Sequence, residues 1–138
     1  MGSQMIKMIP LSNHIEQNKV LKPKILKAIG RILDHGNFIL SEEVEEFEKQ
    51  FAELCGVKHA VGVNSGTDAL IMSLSALEIG SGDDVIVPPN SFLASTSCIA
   101  HVGARPLFID VREDYNLDPY QIEGVITPET KAIIPVHL

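Results

Sequence analysis

Small polar residues at one predicted strand-to-helix junction could bind a phosphate group. Ser65, Gly66 and Thr67 follow a short apolar run and precede a helical pattern. Free backbone amides at a helix start attract anions, and a glycine lets an anion approach the backbone closely. The Thr67 hydroxyl can add a hydrogen bond. The alternative is that Ser65 or Thr67 only caps the helix, with Asp68 complementing the helix dipole.

A second predicted strand-to-helix junction carries an aromatic residue, Phe92. In open α/β sheets, ligands bind at the carboxyl ends of the strands, so both junctions should open at the same edge of the sheet. Phe92 would then offer a flat apolar face beside the phosphate site, although a single Phe at a helix start more commonly packs in the core. Neither G-x-G-x-x-G nor G-x-x-x-x-G-K-[ST] is present at the first junction, which disfavours a Rossmann or P-loop site.

The elements that position these junctions follow from the spacing of apolar residues. Residues 22–34 predict an amphipathic helix with Pro23 in its first turn, and residues 41–55 predict a second helix, capped by the Ser41 hydroxyl. After Gly56, short apolar runs alternate with helix-length segments. The predicted strands are 60–63, 84–87, 106–110 and 132–136, and the predicted helices between them are 66–77, 92–102 and a short one starting at Asp118 and Pro119.

This alternation predicts an α/β fold, with a mainly parallel sheet and helices on both faces, because parallel neighbours need right-handed crossover connections. The last predicted strand runs to within two residues of Leu138, which would leave a sheet edge without cover. We therefore expect residues 8–138 to be the N-terminal part of a truncated domain. Residues 1–7 are expected to be a tag remnant or a disordered start.

Composition narrows the class of protein. The chain has 18 acidic and 11 basic residues, for a formal net charge of −7, and its basic residues form no cluster, so no nucleic-acid partner is expected. No apolar run approaches the ~18 residues of a membrane span, and no signal peptide is evident. We expect a cytoplasmic protein without membrane contact. Cys55 and Cys98 lack C-x-x-C spacing and are expected to be reduced and buried.

Other polar residues are expected to have structural roles. The five histidines show no H-x-x-x-H or H-E-x-x-H spacing, so no metal site is expected. Lys58 and Lys131 are expected on the solvated surface. Turn and cap roles are expected for four aspartates beside strand ends: Asp83, Asp84, Asp110 and Asp114.

Seven sequence blocks occur in a fixed order and spacing between about residues 8 and 138. They are G-N-F-I-L (36–40), F-E-K-Q-F-A (47–52), S-G-T-D-A-L (65–70), G-D-D-V-I-V-P (82–88), S-F-L-A-S (91–95), G-A-R-P-L-F-I-D (103–110) and T-K-A-I-I-P-V-H-L (130–138). Together they resemble the first third of a DegT-type (DegT/DnrJ/StrS) nucleotide-sugar aminotransferase. The resemblance implies part of the large domain of the aspartate-aminotransferase fold, fold type I, and pyridoxal 5'-phosphate (PLP) as the cofactor.

The resemblance also implies roles for site residues. Ser65, Gly66 and Thr67 would hold the cofactor phosphate, and Phe92 would stack on the pyridine ring. Residues near the substrate would be Asn37, Phe38 and Ile39. The aspartate that pairs with the pyridine nitrogen and the Schiff-base lysine are expected beyond Leu138. No catalytic residue is therefore expected within this chain, which should hold PLP weakly and be inert by itself.

The implied activity is transfer of an amino group from an amino acid to a keto-sugar nucleotide in polysaccharide biosynthesis. Glutamate is the expected amino donor. A homodimer is expected because members of this family build each active site from two subunits. Two alternatives stay open. One is a PLP- or PMP-dependent sugar dehydratase of the same family, in which a histidine replaces the lysine. The other is a non-enzymatic binding or interaction module, which a preference for nucleotide over PLP would favour.

Overall fold

The structure is a computed structural model that describes residues 11–138. The expectation of a tag remnant or disordered start at residues 1–7 lies outside the described residues. The chain divides into two compact units, Met1–Val61 and Gly62–Leu138. The first unit contains two helices, and the second contains a parallel sheet with its helices.

Helix α1, His14–His35, begins eight residues before the predicted start at residue 22. The prediction that Pro23 lies in the first turn is therefore wrong, because Pro23 lies inside the helix. Apolar spacing missed the first two turns because most of their residues are polar and Ile15 and Val20 do not continue the apolar stripe clearly. Their start is marked instead by Asn13, whose side chain accepts a hydrogen bond from the Glu16 amide at 3.3 Å. Such an Asn-x-x-Glu pattern is a recognisable N-terminal cap.

Helix α2, Glu42–Cys55, agrees with the prediction to within one residue. Ser41 is the N-cap residue, but its side chain makes no capping hydrogen bond, so the predicted hydroxyl cap is wrong. The Ser41 carbonyl instead accepts the amides of Val44 and Glu45 at 2.9 and 3.2 Å. Gly56 ends the helix in the left-handed conformation, with φ of 66°.

The second unit contains the remaining elements. They are α3 (Gly66–Ala76), β1 (Asp84–Val87), α4 (Ala94–His101), β2 (Arg105–Phe108), a short 3-10 helix (Pro119–Gln121), α5 (Ile122–Val125) and β3 (Thr130–Ile133). The predicted α3, β1 and Asp118 cap are confirmed. The predicted strand at 60–63 is wrong: these residues have no strand structure, and Val61 is 78% exposed. Gly62 weakens this short run as a strand, since glycine disfavours β structure.

The sheet is parallel and has the strand order β2-β1-β3. Both outer strands lie slightly earlier in the sequence than predicted, since 106–110 becomes Arg105–Phe108 and 132–136 becomes Thr130–Ile133. The central strand explains the shift. β1 has four residues, and pairing ends near its last residues, with Val87 opposite Phe108 and Ile86 opposite Ile133. Apolar runs continue beyond those points and therefore misplaced the strand ends.

The strand order places helices on both faces of the sheet. The β1-to-β2 connection moves in one direction and the β2-to-β3 connection returns across β1, so right-handed crossovers put α4 and α5 on opposite faces. Val85 and Val87 accordingly share a core cluster with Leu74 of α3 and Ile99 of α4. Asp84, which alternates to the other face, contacts Thr127 just after α5. The predicted α/β class is confirmed.

An ion pair between the buried Asp84 carboxylate and the exposed Arg105 guanidinium joins β1 to β2. The Asp84 side chain is 2% exposed and receives hydrogen bonds from Arg105 Nε at 2.7 Å and Nη2 at 2.8 Å. The Thr127 hydroxyl donates to the same carboxylate at 2.9 Å. These bonds, chiefly those of Arg105, lower the pKa of the Asp84 carboxyl against the opposing effect of burial.

The expected turn and cap role is therefore wrong for Asp84, because its side chain points into the structure rather than along a turn. The role is confirmed for the other three aspartates. Asp83, Asp110 and Asp114 accept hydrogen bonds from the backbone amides of Gly80, Val111 and Asn116 respectively.

The two cysteines and the two lysines singled out in the sequence differ in how far the structure agrees with expectation. Cys98 is buried, and burial raises the pKa of its thiol. Cys55 is exposed, so its predicted burial is wrong; it is the last residue of α2 and lies outside the core. Lys58 and Lys131 are exposed as expected. Over residues 11–138, every helix is too short or too polar to cross a membrane.

We predict that Asp84→Asn lowers the urea midpoint of unfolding at neutral pH and flattens its dependence on acid. The folded-state pKa of Asp84 lies below the ordinary value of 3.8, so its stabilisation is complete above that value and is lost as pH falls through the folded-state pKa. The difference between wild type and variant should therefore shrink in acid. The exposed α5 substitution Glu123→Gln is the control and should leave the midpoint unchanged. A constant wild-type-to-D84N difference down to about pH 2 would contradict the assignment.

Candidate functional site

Ser65 caps α3 and uses its side chain in doing so. Its backbone is extended, with φ of −158°, and its Oγ accepts a hydrogen bond from the Asp68 amide at 3.1 Å. The same hydroxyl donates to the Asp68 carboxylate at 3.0 Å. The Ser65 carbonyl accepts the Ala69 amide at 3.0 Å. The capping alternative is therefore confirmed for Ser65, and its contact with a phosphate stays a prediction.

Gly66 and Thr67 present the unused amides of this helix start. Among residues 11–138, neither backbone N–H donates to a protein acceptor. Gly66 is exposed, and a Cβ placed on it would meet no atom within 4 Å, so the space beside these amides is open. Two adjacent N–H groups at the positive end of an 11-residue helix suit an anion. The nearby Asp68 carboxylate opposes this attraction.

The second junction differs because its helix amides are already engaged. The Ser95 amide donates to the Phe92 carbonyl at 3.0 Å, and the Thr96 amide donates to the Leu93 carbonyl at 3.1 Å. The Ser91 and Ser95 hydroxyls lie 2.7 Å apart. α4 begins at Ala94 rather than at the predicted residue 92. The first turn of α4 is thus less available to an anion than that of α3.

Phe92 lies just before α4, and its side chain is 80% exposed. The alternative that it packs in the core is therefore wrong. An exposed aromatic ring at the end of a loop leaves a flat apolar surface available to a ligand. Its stacking on a cofactor ring stays a prediction.

One apolar core supports both junctions. Leu70 and Ile71, one turn after Thr67, pack against the cluster that contains Val87 and Cys98. Val87 ends β1 and leads into the loop that carries Phe92. α3 and α4 also contact each other directly. The junction with the unused amides and the junction with Phe92 therefore rest on the same apolar core of the second unit.

The predicted substrate residues Asn37, Phe38 and Ile39 lie in the first unit, in the loop between α1 and α2. The Phe38 and Ile39 side chains are 65% and 79% exposed. The Asn37 amide donates to His35 Nδ1 at 3.1 Å. Their position near a substrate stays a prediction. Sequence reasoning missed His35 and its partner Glu43, since no motif marks a pair eight residues apart across a loop.

The chain matches the model of the DegT/DnrJ/EryC1/StrS aminotransferase family over residues 19–138. Over 134 residues it is 48% identical to UDP-N-acetyl-3-dehydro-alpha-D-glucosamine 3-aminotransferase of Acidithiobacillus ferrooxidans. That match covers 96% of this chain and 36% of the relative. The chain therefore spans about a third of the length of such curated relatives.

Solved structures show the same fold. The S. venezuelae DesV structure in complex with a ketimine intermediate aligns with a TM-score of 0.89 and 44% identity, covering 94% of this chain and 35% of DesV. E. coli GDP-4-keto-6-deoxy-D-mannose-3-dehydratase with bound hydrated PLP aligns with a TM-score of 0.74 and 33% identity, covering 80% of this chain and 30% of the dehydratase.

We predict that Ser65→Ala destabilises the second unit by about 1 kcal/mol, the usual cost of losing a serine N-cap. The cause is loss of the Oγ acceptor for the Asp68 amide. Ser75→Ala, at an exposed position within the same helix, is the matched control and should be neutral or slightly stabilising because alanine favours helix. Urea unfolding followed by circular dichroism measures both changes. Equal effects of the two substitutions would show that Ser65 does not cap α3.

Proposed function

The chain belongs to the DegT/DnrJ/EryC1/StrS aminotransferase family, and from this we propose that the whole protein transfers an amino group to a keto-sugar nucleotide with PLP as cofactor. The amino donor is an amino acid, with glutamate as the first candidate. The A. ferrooxidans relative is by name an aminotransferase of a UDP-linked 3-dehydro sugar. The observation that carries the proposal is the pair of unused amides at Gly66 and Thr67, beside open space at a helix start.

The residues present fit the cofactor's phosphate. A phosphate dianion needs several donors and room to approach the backbone, and the Gly66 and Thr67 amides with the Thr67 hydroxyl provide both. Ser65 is a weaker candidate because Asp68 already occupies its hydroxyl. The exposed Phe92 ring supplies a surface of the right size and polarity for the pyridine ring.

PLP, when bound, supplies the electron sink that allows an amino group to leave one carbon atom and join another. The residues of this chain bind and orient it. Anchoring the phosphate at the start of α3 fixes one end of the cofactor, and contact with Phe92 restricts the tilt of its ring. Phe92 also keeps water from one ring face. Such positioning lowers the entropic part of a reaction barrier.

The proposal also covers the substrate-binding residues, the homodimer and the cellular location. Asn37, Phe38 and Ile39 would face the sugar nucleotide. The enzyme would act as a homodimer in polysaccharide biosynthesis, a state supported by exposed apolar side chains such as Phe47 and Leu54 of α2. The unpaired Cys55 and Cys98 thiols support a cytoplasmic location.

A sugar dehydratase is the second candidate, because the E. coli 3-dehydratase shares the fold of this chain. The two reactions leave different products. With the whole protein, PLP, 15N-glutamate and a UDP-linked keto-sugar, an aminotransferase places 15N on the sugar and releases 2-oxoglutarate. A dehydratase removes a sugar hydroxyl as water and leaves no nitrogen on the product. Mass spectrometry of the sugar nucleotide distinguishes them, and an unchanged keto-sugar would contradict both.

We predict that Gly66→Pro weakens PLP binding while preserving α3. Proline is tolerated at the first helical position, and the extended Ser65 backbone suits a residue that precedes proline. The substitution removes the amide donor and places the Cδ atom of the proline ring where the amide hydrogen was. Loss of one hydrogen bond to a charged group should raise the Kd about 10- to 100-fold.

Gly66→Ala is the matched control, since it keeps the amide and its Cβ enters open space. Calorimetric titration with PLP and with pyridoxal, which lacks the phosphate, separates phosphate recognition from ring binding. Pyridoxal should bind weakly and equally to all three proteins. If folded G66P binds PLP as tightly as wild type, the phosphate does not lie on this amide.

A further inference from the structure

One partly exposed imidazole is hydrogen-bonded both to the loop between α1 and α2 and to α2. His35, the last residue of α1, has both ring nitrogens engaged. Nδ1 lies 3.1 Å from the backbone nitrogen of Asn37, and Nε2 lies 3.1 Å from Oε1 of Glu43 in the first turn of α2. A single side chain therefore connects the helix end, the loop and the next helix.

The partners determine where the imidazole carries its proton. The Asn37 amide can only donate, so Nδ1 must accept through its lone pair. The Ser41 side chain, the amide of Glu43 itself and His35 lower the pKa of the Glu43 carboxyl, which is therefore ionised and accepts. Nε2 must then be the donor. Both bonds exist together only in the neutral imidazole with hydrogen on Nε2.

The loop that these bonds span has an unusual conformation. Leu40 adopts a left-handed backbone, with φ of 49°, which costs a non-glycine residue about 1–3 kcal/mol and persists only when its surroundings enforce it. Gly36 is also left-handed, with φ of 70°. Between them the loop exposes three consecutive large apolar side chains: Phe38, Ile39 and Leu40. Exposure of three large apolar side chains to water is unfavourable, so local hydrogen bonds must maintain this conformation.

We propose that His35 is a positioning residue that holds residues 36–40 in this conformation only while its imidazole is neutral. Protonation would turn Nδ1 from an acceptor into a donor. The Asn37 N–H would then lose its acceptor and that bond would break. The Nε2 bond to Glu43 would remain and become an ion pair. Protonation would thus release the loop from α1 while keeping α1 joined to α2. The charged groups that line a cavity with the ring are Glu42 and Glu43 on α2. On α1, Asp34 precedes His35 in sequence, and Arg31 lies one turn earlier and lines a second cavity with the same two glutamates.

The loop contains the residues proposed to face the sugar nucleotide, so the consequence for substrate binding rests on the proposed function. The hydrogen-bond arrangement does not. Release of the loop would move Asn37, Phe38 and Ile39 and weaken binding of the sugar without altering the PLP cradle at Gly66 and Thr67. His35 would then set the affinity for substrate rather than the chemistry.

Nuclear magnetic resonance of the 15N-labelled chain tests the arrangement directly. The imidazole nitrogen shifts of His35 should show hydrogen on Nε2 at about pH 8, as the two bonds require. On titration to about pH 5, the Asn37 amide resonance should shift with the same midpoint as the His35 ring. Its protection against hydrogen exchange, relative to an unstructured amide at the same pH, should fall about three- to tenfold, the effect of losing one ordinary hydrogen bond. Hydrogen on Nδ1, or an Asn37 amide indifferent to the ring's titration, would overturn the proposal.

Two substitutions separate the two bonds. His35→Asn keeps an acceptor near the position of Nδ1, so Asn37 should remain protected and lose its response to pH. His35→Gln keeps a donor near the position of Nε2 but no acceptor near Nδ1, so the Asn37 amide should lack protection at every pH, as in the wild type at about pH 5. His101→Gln, at an exposed position on α4, is the control and should change neither. If His35→Gln fails to fold, the titration of the wild-type chain still tests whether the Asn37 bond depends on the protonation of His35.

A kinetic comparison with the whole protein separates this inference from the proposed function. His35→Gln should raise the KM for the keto-sugar nucleotide about tenfold, as expected if about 1.4 kcal/mol of binding is lost, and change kcat less. If the whole protein transfers no amino group while the resonance results hold, the proposed function fails and the positioning role stands. If KM is unchanged in an active enzyme, the loop does not contact substrate.

Discussion

β1 is buried along its whole length, and a buried strand of a parallel sheet needs a neighbour on each edge and cover on each face. Val85, Ile86 and Val87 meet this requirement with apolar side chains. Asp84 cannot, because its carboxylate is charged and almost fully buried. Arg105 on β2 and Thr127 ahead of β3 compensate that charge. Burial of the Asp84 carboxylate is favourable only with these two partners, because an unpaired buried charge is costly. One carboxylate therefore links β1 to β2 and to the residues that lead into β3.

The candidate site lies at the carboxyl end of β1. At the start of α3, different residues cap the helix and leave their amides free. Ser65 stabilises the helix by satisfying the Asp68 amide, and Gly66 and Thr67 leave their own amides available. The residue that caps the helix is therefore distinct from the two whose amides are proposed to bind the cofactor phosphate, and that binding would leave the cap of α3 in place. At α4 the first-turn amides bond to loop carbonyls, and what that junction offers is the ring of Phe92.

The sequence predicted α2, α3 and the central strand to within one residue, since apolar period is a local property, although it missed the start of α1. Elements that depend on a partner were predicted less well. The strand at 60–63 has β-favouring valines, yet no strand of the three-stranded sheet pairs with it. The ends of β2 and β3 follow the length of β1, which their own apolar runs cannot reveal. Asp84 was misassigned for the same reason, because its partners lie 21 and 43 residues away.

The first unit shows a further limit of pattern-based prediction. α1 has 22 residues and none of them is buried, and the stripe of α2 is exposed as well, with Phe47 at 62%. Amphipathic spacing correctly identified both helices but said nothing about what holds them. Helices gain most of their stability from packing an apolar face. Where that face is open, local hydrogen bonds decide geometry. At the α1-to-α2 connection these include the two bonds of His35 and the bond from the Gly36 amide to the Ile32 carbonyl. Local bonds of this kind, rather than a core, are what we propose to fix the conformation of the loop.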